Sequence, residues 1–96
     1  MPLACIPNAI PNRPRYIELR QKLRAAITVT QPLENGQSWR LSEEIIKLTE
    51  SAEWIEMERL CCPFLQFKLE TNAEQAHKLT LSGPPGTSEF FANEFR

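Results

Sequence analysis

No stretch of this 96-residue chain approaches the ~18 apolar residues that a membrane-spanning helix needs, so none is expected. The opening residues, Met1-Pro2-Leu3-Ala4-Cys5, carry neither a basic region nor a long apolar one, and so read as no secretory signal. Runs of like charge are missing and the formal net charge is -1, so the electrostatic footprint of a nucleic-acid binder is absent. Arg13, Arg15, Arg20, Lys22 and Arg24 make one segment locally basic, which reads as a solvated helix face. There is a single histidine, His77, and no Cys-x-x-Cys pair, which excludes a zinc-finger spacing. Gly83-Pro84-Pro85-Gly86 lacks the glycine spacing and lysine of a phosphate loop and reads as a turn before a helix. Together these absences give the expectation of a cytoplasmic protein with no nucleic-acid partner and no membrane.

What is present is a chain long enough for one domain, residues 1–96, and not two. A domain of this size buries roughly 60–65% of its unfolded surface, so the core is thin and a second copy would help. A homodimer is therefore the expected assembly. Residues 1–12 form a proline-rich arm in which Ile6-Pro7-Asn8 recurs as Ile10-Pro11-Asn12; proline keeps it out of helix and central strand. Its apolar residues, Leu3, Ile6 and Ile10, point to packing against this domain or a second copy.

A helix is expected from Pro14, with Tyr16, Leu19, Leu23 and Ala26 on one apolar face. The pattern then turns to β-branched residues, with Ile27, Val29 and Leu33 as one strand face. Asn35-Gly36 signals a hairpin whose return strand carries Trp39 and Leu41. Ser42 reads as an N-cap, followed by Glu43 and Glu44, for a helix running to Leu60 or Cys61. Its main buried stripe is expected at Ile45, Leu48, Ala52 and Ile55. A second apolar strip runs through Ile46, Trp54, Met57 and Leu60, so the helix would be sandwiched or dimeric. Pro63 ends it. Strands with Leu65, Phe67 and Leu69, then Leu79 and Leu81, lead to a last helix over about Thr87 to Phe95. The order α-ββ-α-ββ-α predicts an α+β fold: a four-stranded antiparallel sheet of two β-hairpins with helices on one face, ferredoxin-like or a related two-layer sandwich. Thr28, Thr30, Arg40, Gln66, Lys68, Glu70, Lys78 and Thr80 would face water.

The residues most able to carry chemistry are Cys61 and Cys62. Glu58 precedes them by three and four positions, so it shares a helix flank with them. Soft thiolates suit Zn²⁺, Cu⁺ and heavier thiophilic ions. Adjacent side chains diverge, so a further ligand is needed, with Cys5 or His77 as candidates. A helix carboxyl end opposes thiolate formation, and Glu58 adds to that, so a low-pKa nucleophile is not expected. Burial of the thiols as plain core residues is the competing reading, and a Cys61–Cys62 disulfide would serve only as a switch. His77 sits at a hairpin end, in phase with Leu79 and Leu81, where a solvated side chain is expected. No serine or cysteine triad is drawn, and Glu53, Glu56 and Glu58 read as a charged flank.

Glu58-Arg59-Leu60-Cys61-Cys62-Pro63-Phe64, with Phe67, Leu69, Leu79, Leu81, Gly83-Pro84 and Glu89-Phe90, resembles a group of small bacterial proteins with an E-R-x-C-C-P-F core and a cysteine near the start. Similar segments form the tails of some mercury-responsive regulators, whose DNA-binding part has no counterpart here. The resemblance implies a thiol site at Cys61 and Cys62, joined by Cys5, and no transferable activity. The expected metal ligands are thus Cys61, Cys62, Cys5 and Glu58, for a thiophilic ion such as Zn, Cu or Hg. A dimeric interaction module with buried thiols and a thiol-dependent redox protein stand as alternatives. No catalytic residue is assigned.

Overall fold

The computed structural model describes residues 7–94, with side-chain surroundings for 8–90. The arm begins there as a 3₁₀ turn, Pro7–Ala9, that packs on the second helix, and Ile10 enters the core. Leu3, Cys5 and Ile6 lie outside the described residues. Helix α1 spans Arg13–Ala26, and the Asn12 side chain caps it by accepting from the Arg15 N–H at 3.2 Å. Its apolar face, Tyr16, Leu19, Leu23 and Ala26, is buried as its spacing predicts.

Strands β1 (Ile27–Leu33) and β2 (Gly36–Ser42) form the first hairpin, and β3 (Gln66–Thr71) and β4 (Ala76–Ser82) the second. All pairings are antiparallel, in the order β1-β2-β4-β3, so the two hairpins join through β2 and β4. Helix α2 (Leu48–Cys61) links the hairpins, and α3 (Thr87–Glu94) closes the chain. The fold is α+β, with four antiparallel strands in one open sheet and the element order α-ββ-α-ββ-α. The inward face carries Trp39 and Leu41 from β2 and Leu79 and Leu81 from β4, packed with Leu19, Leu23, Ile46 and Trp54. Trp54 meets Phe67 edge-on at 6.1 Å, and Phe64 meets Phe90 likewise at 5.1 Å.

Four local expectations change. The register shifts between Ile27 and Val29, so a bulge reverses the phase of β1. Val29 lies opposite Arg40, on the open face, and is 56% exposed; Thr30 instead lies opposite Trp39. The Asn35-Gly36 hairpin exists, but its two-residue turn is Glu34-Asn35, and no non-glycine residue described has positive φ. Gly36 is needed for close approach: a Cβ there would stand 2.0 Å from the Leu81 carbonyl oxygen.

Ser42 belongs to β2, not to a helix cap. Its carbonyl accepts from Ile45 and Ile46 in a turn, and α2 starts later, after Lys47, whose N–H donates to Glu50 Oε1 at 3.0 Å. The buried stripe of α2 is also rotated from the expected one. Ile45, Leu48 and Ala52 are exposed and Ile55 is half-buried; the face turned inward is Ser51, Trp54, Met57, Glu58 and Cys61. Leu60, expected on the second strip, is 49% exposed.

Candidate metal centre

The corner where α2 gives way to β3 gathers the chemistry. Glu58 and Cys61 lie on the last turn of α2, and Cys62 is its C-cap, with φ −122° and ψ 77°. The Cys62 N–H donates to the Glu58 carbonyl at 2.7 Å, while the Cys62 carbonyl accepts from Leu65 at 3.2 Å. Pro63 follows and prevents another helical turn. The backbone thereby keeps offsets of three and four residues on one flank through the last position of the helix. A carboxylate oxygen of Glu58 and the sulfurs of Cys61 and Cys62 all lie within 4.8 Å of one another. All three residues are at least 96% buried.

Glu58 is therefore no member of a solvated flank, unlike Glu56. Its Oε2 accepts from the Tyr16 hydroxyl of α1 at 2.6 Å, across the α1–α2 interface. Burial pushes the Tyr16 hydroxyl far above its ordinary pKa of 10.0, the Glu58 hydrogen bond and charge add to this, and Arg20 partly opposes it. Tyr16 is thus a neutral donor across the ordinary pH range. Its ring is buried, and its hydroxyl fixes the direction of the carboxylate.

The Glu58 Oε1 lies 3.1 Å from Cys62 Sγ. Cys62 is held in a disulfide, whereas Cys61 carries a buried thiol. In the disulfide state the approach is a sulfur–oxygen contact. A reduced Cys62 would instead have a proton to donate to the carboxylate.

Ion pairs fasten α1 to the first half of α2, away from this corner. Arg15 grips Glu53 through two nitrogens at 2.9 and 2.8 Å and also reaches Glu18 at 2.6 Å; Lys22 reaches Glu50 at 2.6 Å. These cations hold the Glu50 and Glu53 carboxyls below their ordinary value of 4.5.

Cys5, the expected third sulfur, lies outside the described residues. His77, the other ligand candidate, is elsewhere and is not solvated. It is wholly buried, with Nε2 2.7 Å from Ser51 Oγ and Nδ1 3.1 Å from Glu43 Oε2. Sequence reasoning missed this Glu43–His77–Ser51 chain. Its one available signal was the phase of His77 with Leu79 and Leu81, which placed the imidazole on the inward face. Ser51 is itself fully buried, so the chain bridges β4 to α2 without presenting a nucleophile to solvent.

Among the described residues, no helix is long and apolar enough to cross a membrane. The chain matches no protein-family model, no curated protein and no solved structure.

Proposed function

We propose that this protein binds a thiophilic metal or metalloid ion through Cys61 and Cys62, with Glu58 as the accompanying oxygen ligand. The observation that carries the reading is the convergence of three buried ligand atoms within 4.8 Å. Tetrahedral ligands on Zn–S bonds of about 2.3 Å stand roughly 3.8 Å apart, so a modest contraction would close the set on one ion. Two thiolates favour a soft ion such as Zn²⁺, Cu⁺ or Hg²⁺ over a hard one. With Cys62 reduced, three acidic groups share this buried corner, which also favours a cation, because buried charge needs pairing or coordination. The E-R-x-C-C-P-F resemblance points to the same two sulfurs.

The test is an anaerobic titration of the fully reduced full-length chain against a competing chelator, with Zn²⁺, Cu⁺ and Hg²⁺ in turn. One ion per chain is expected, with uptake lost in the Cys61→Ser/Cys62→Ser variant. Equal uptake by that variant would overturn the reading.

A second reading, a dimeric interaction module, draws on one observation. Ile45, in the turn before α2, and Leu48, at its start, are 44% and 36% exposed, with exposed Ala52 following on the helix. Sedimentation equilibrium would detect the dimer, and Leu48→Lys should dissociate it. A monomer at high micromolar concentration would dismiss this reading.

A further inference from the structure

Among the described residues the sheet has two free edges, β1 and β3, and they are built differently. β1 is blunted: a bulge lies between Ile27 and Val29, and Pro32 lacks a backbone donor. β3 pairs with β4 without a break from Gln66 to Thr71 and contains no proline, so its outer row of N–H and C=O groups is regular. Such an edge is a template for another strand.

A cavity of about 670 Å³ runs beside that edge. Ile55 and Arg59 of α2 line it with Pro63, Leu65, Gln66 and Phe67, and no residue of β4 does, so it opens along the outer side of β3. Ile55 and Phe67 are half-buried there. Two apolar side chains and a regular row of backbone groups thus stand uncovered on one side of the described structure.

The charges of β3 decide what fits. Lys68 and Glu70 project from the open face of the sheet, 72% and 43% exposed, whereas Phe67 and Leu69 face the helices. Symmetric antiparallel pairing of two copies needs a two-fold axis perpendicular to the sheet, which keeps both helix layers on one side. Residues directly opposite then share a face. With the axis at Leu69, Lys68 lies opposite Glu70 of the second copy, twice over, and Phe67 lies opposite Thr71. Moving the axis to Lys68 sets lysine against lysine, and moving it to Glu70 sets glutamate against glutamate, which is destabilising. Of these three registers the first alone is self-complementary.

We propose that this protein forms a two-fold dimer through β3, joining two four-stranded sheets into one of eight strands with an α2 helix on either side of the seam. Pairing covers the cavity of each copy, together with Ile55 and Phe67, and Leu69 meets its own counterpart on the axis. The contact leaves the ion reading untouched. It also differs from the surface around Leu48, so experiment separates the two dimers.

Sedimentation equilibrium of the full-length chain tests this, under a reductant that excludes interchain disulfides. Wild type is expected to dimerise. Lys68→Glu leaves two negative positions on β3 and Glu70→Lys two positive ones, so each alone should weaken self-association at least about 10-fold. An equimolar mixture of the two variants should dimerise, because each offers the other opposite charges at both positions. The intrachain Lys68–Glu70 pair, 3.8 Å apart, is lost in both variants alike, so recovery in the mixture cannot come from it. Lys68→Glu/Glu70→Lys should dimerise by itself, and Leu48→Lys should leave the dimer intact. Circular dichroism checks that each variant is folded. Wild type that stays monomeric into the millimolar range would overturn the proposal. So would single reversals without effect, or a mixture no more associated than its parts. Dissociation by Leu48→Lys would move the contact to α2 and remove β3 as the interface.

Discussion

Tyr16→Phe removes one oxygen atom and tests how the candidate ligand Glu58 is held. The hydroxyl donates to Glu58 Oε2 at 2.6 Å, and both residues are buried. The ring stays, so no cavity contribution arises. A hydrogen bond to a charged group contributes about 1.5–3 kcal/mol, and the buried acceptor also loses its donor. The expected loss is therefore about 2 kcal/mol. For a domain of this length that corresponds to a fall in Tm of about 8–16 °C. Urea unfolding followed by tryptophan fluorescence suits the measurement, because Trp39 and Trp54 are both buried. A reductant fixes the state of Cys62 throughout. The same change should weaken ion uptake by about 10–100-fold, as loss of an outer partner of a metal ligand does. A stability change below about 0.5 kcal/mol, with unaltered uptake, would show that the carboxylate does not depend on Tyr16 and refute the reasoning.

Glu58→Gln keeps the shape but removes the anionic oxygen; ion affinity should fall by at least about 10-fold, and an unchanged chelator-competition curve would exclude Glu58 as a ligand. Tyr16 is the chain's one tyrosine, so ultraviolet titration reads it alone. Its folded pKa lies above the unfolded 10.0, so its stabilisation is fully present below pH 10.0 and is lost as pH rises beyond it; tyrosinate absorbance should appear only with unfolding. Glu50 and Glu53 have folded values below 4.5, so their contribution is present above pH 4.5 and lost as pH falls through those lower values. Glu53→Gln should flatten that acid limb in a circular-dichroism titration, and an identical limb would exclude the Arg15 pairing as its source. Gly36→Ala drives a methyl into the Leu81 carbonyl at 2.0 Å and should cost about 1–3 kcal/mol in urea unfolding; a neutral result would mean that β2 and β4 separate easily.

The architecture was legible because its signals were local and periodic. The apolar spacing of α1, the turn chemistry and the alternation in β2, β3 and β4 each describe one element without reference to another. The face of α2 was not legible. Hydrophobicity favoured Ile45, Leu48, Ala52 and Ile55, but the buried face includes Ser51 and Glu58. Both are polar residues whose burial depends on partners far along the chain: His77 for Ser51, and Tyr16 for Glu58. Such pairing satisfies the buried groups, yet leaves no periodic trace in the sequence. The bulge in β1 is hidden for a similar reason, since its effect on Val29 shows only against the register of β2. Of the candidate site, the i, i+3, i+4 offsets of Glu58, Cys61 and Cys62 were readable, because the helix reaches Cys61. The state of Cys62 and the tyrosine behind Glu58 were not, since no spacing rule connects positions some forty residues apart.

The sheet order carries one more implication. Strand β3 follows the cysteine corner within four residues, and β4 is its sole neighbour in the sheet. A tug on either sulfur is thus delivered to an edge strand, tethered within the chain on one side alone. Backbone amides from Gln66 to Thr71 should exchange with deuterated water at a pace that follows what the corner holds, making the rim of the molecule a dial for its interior.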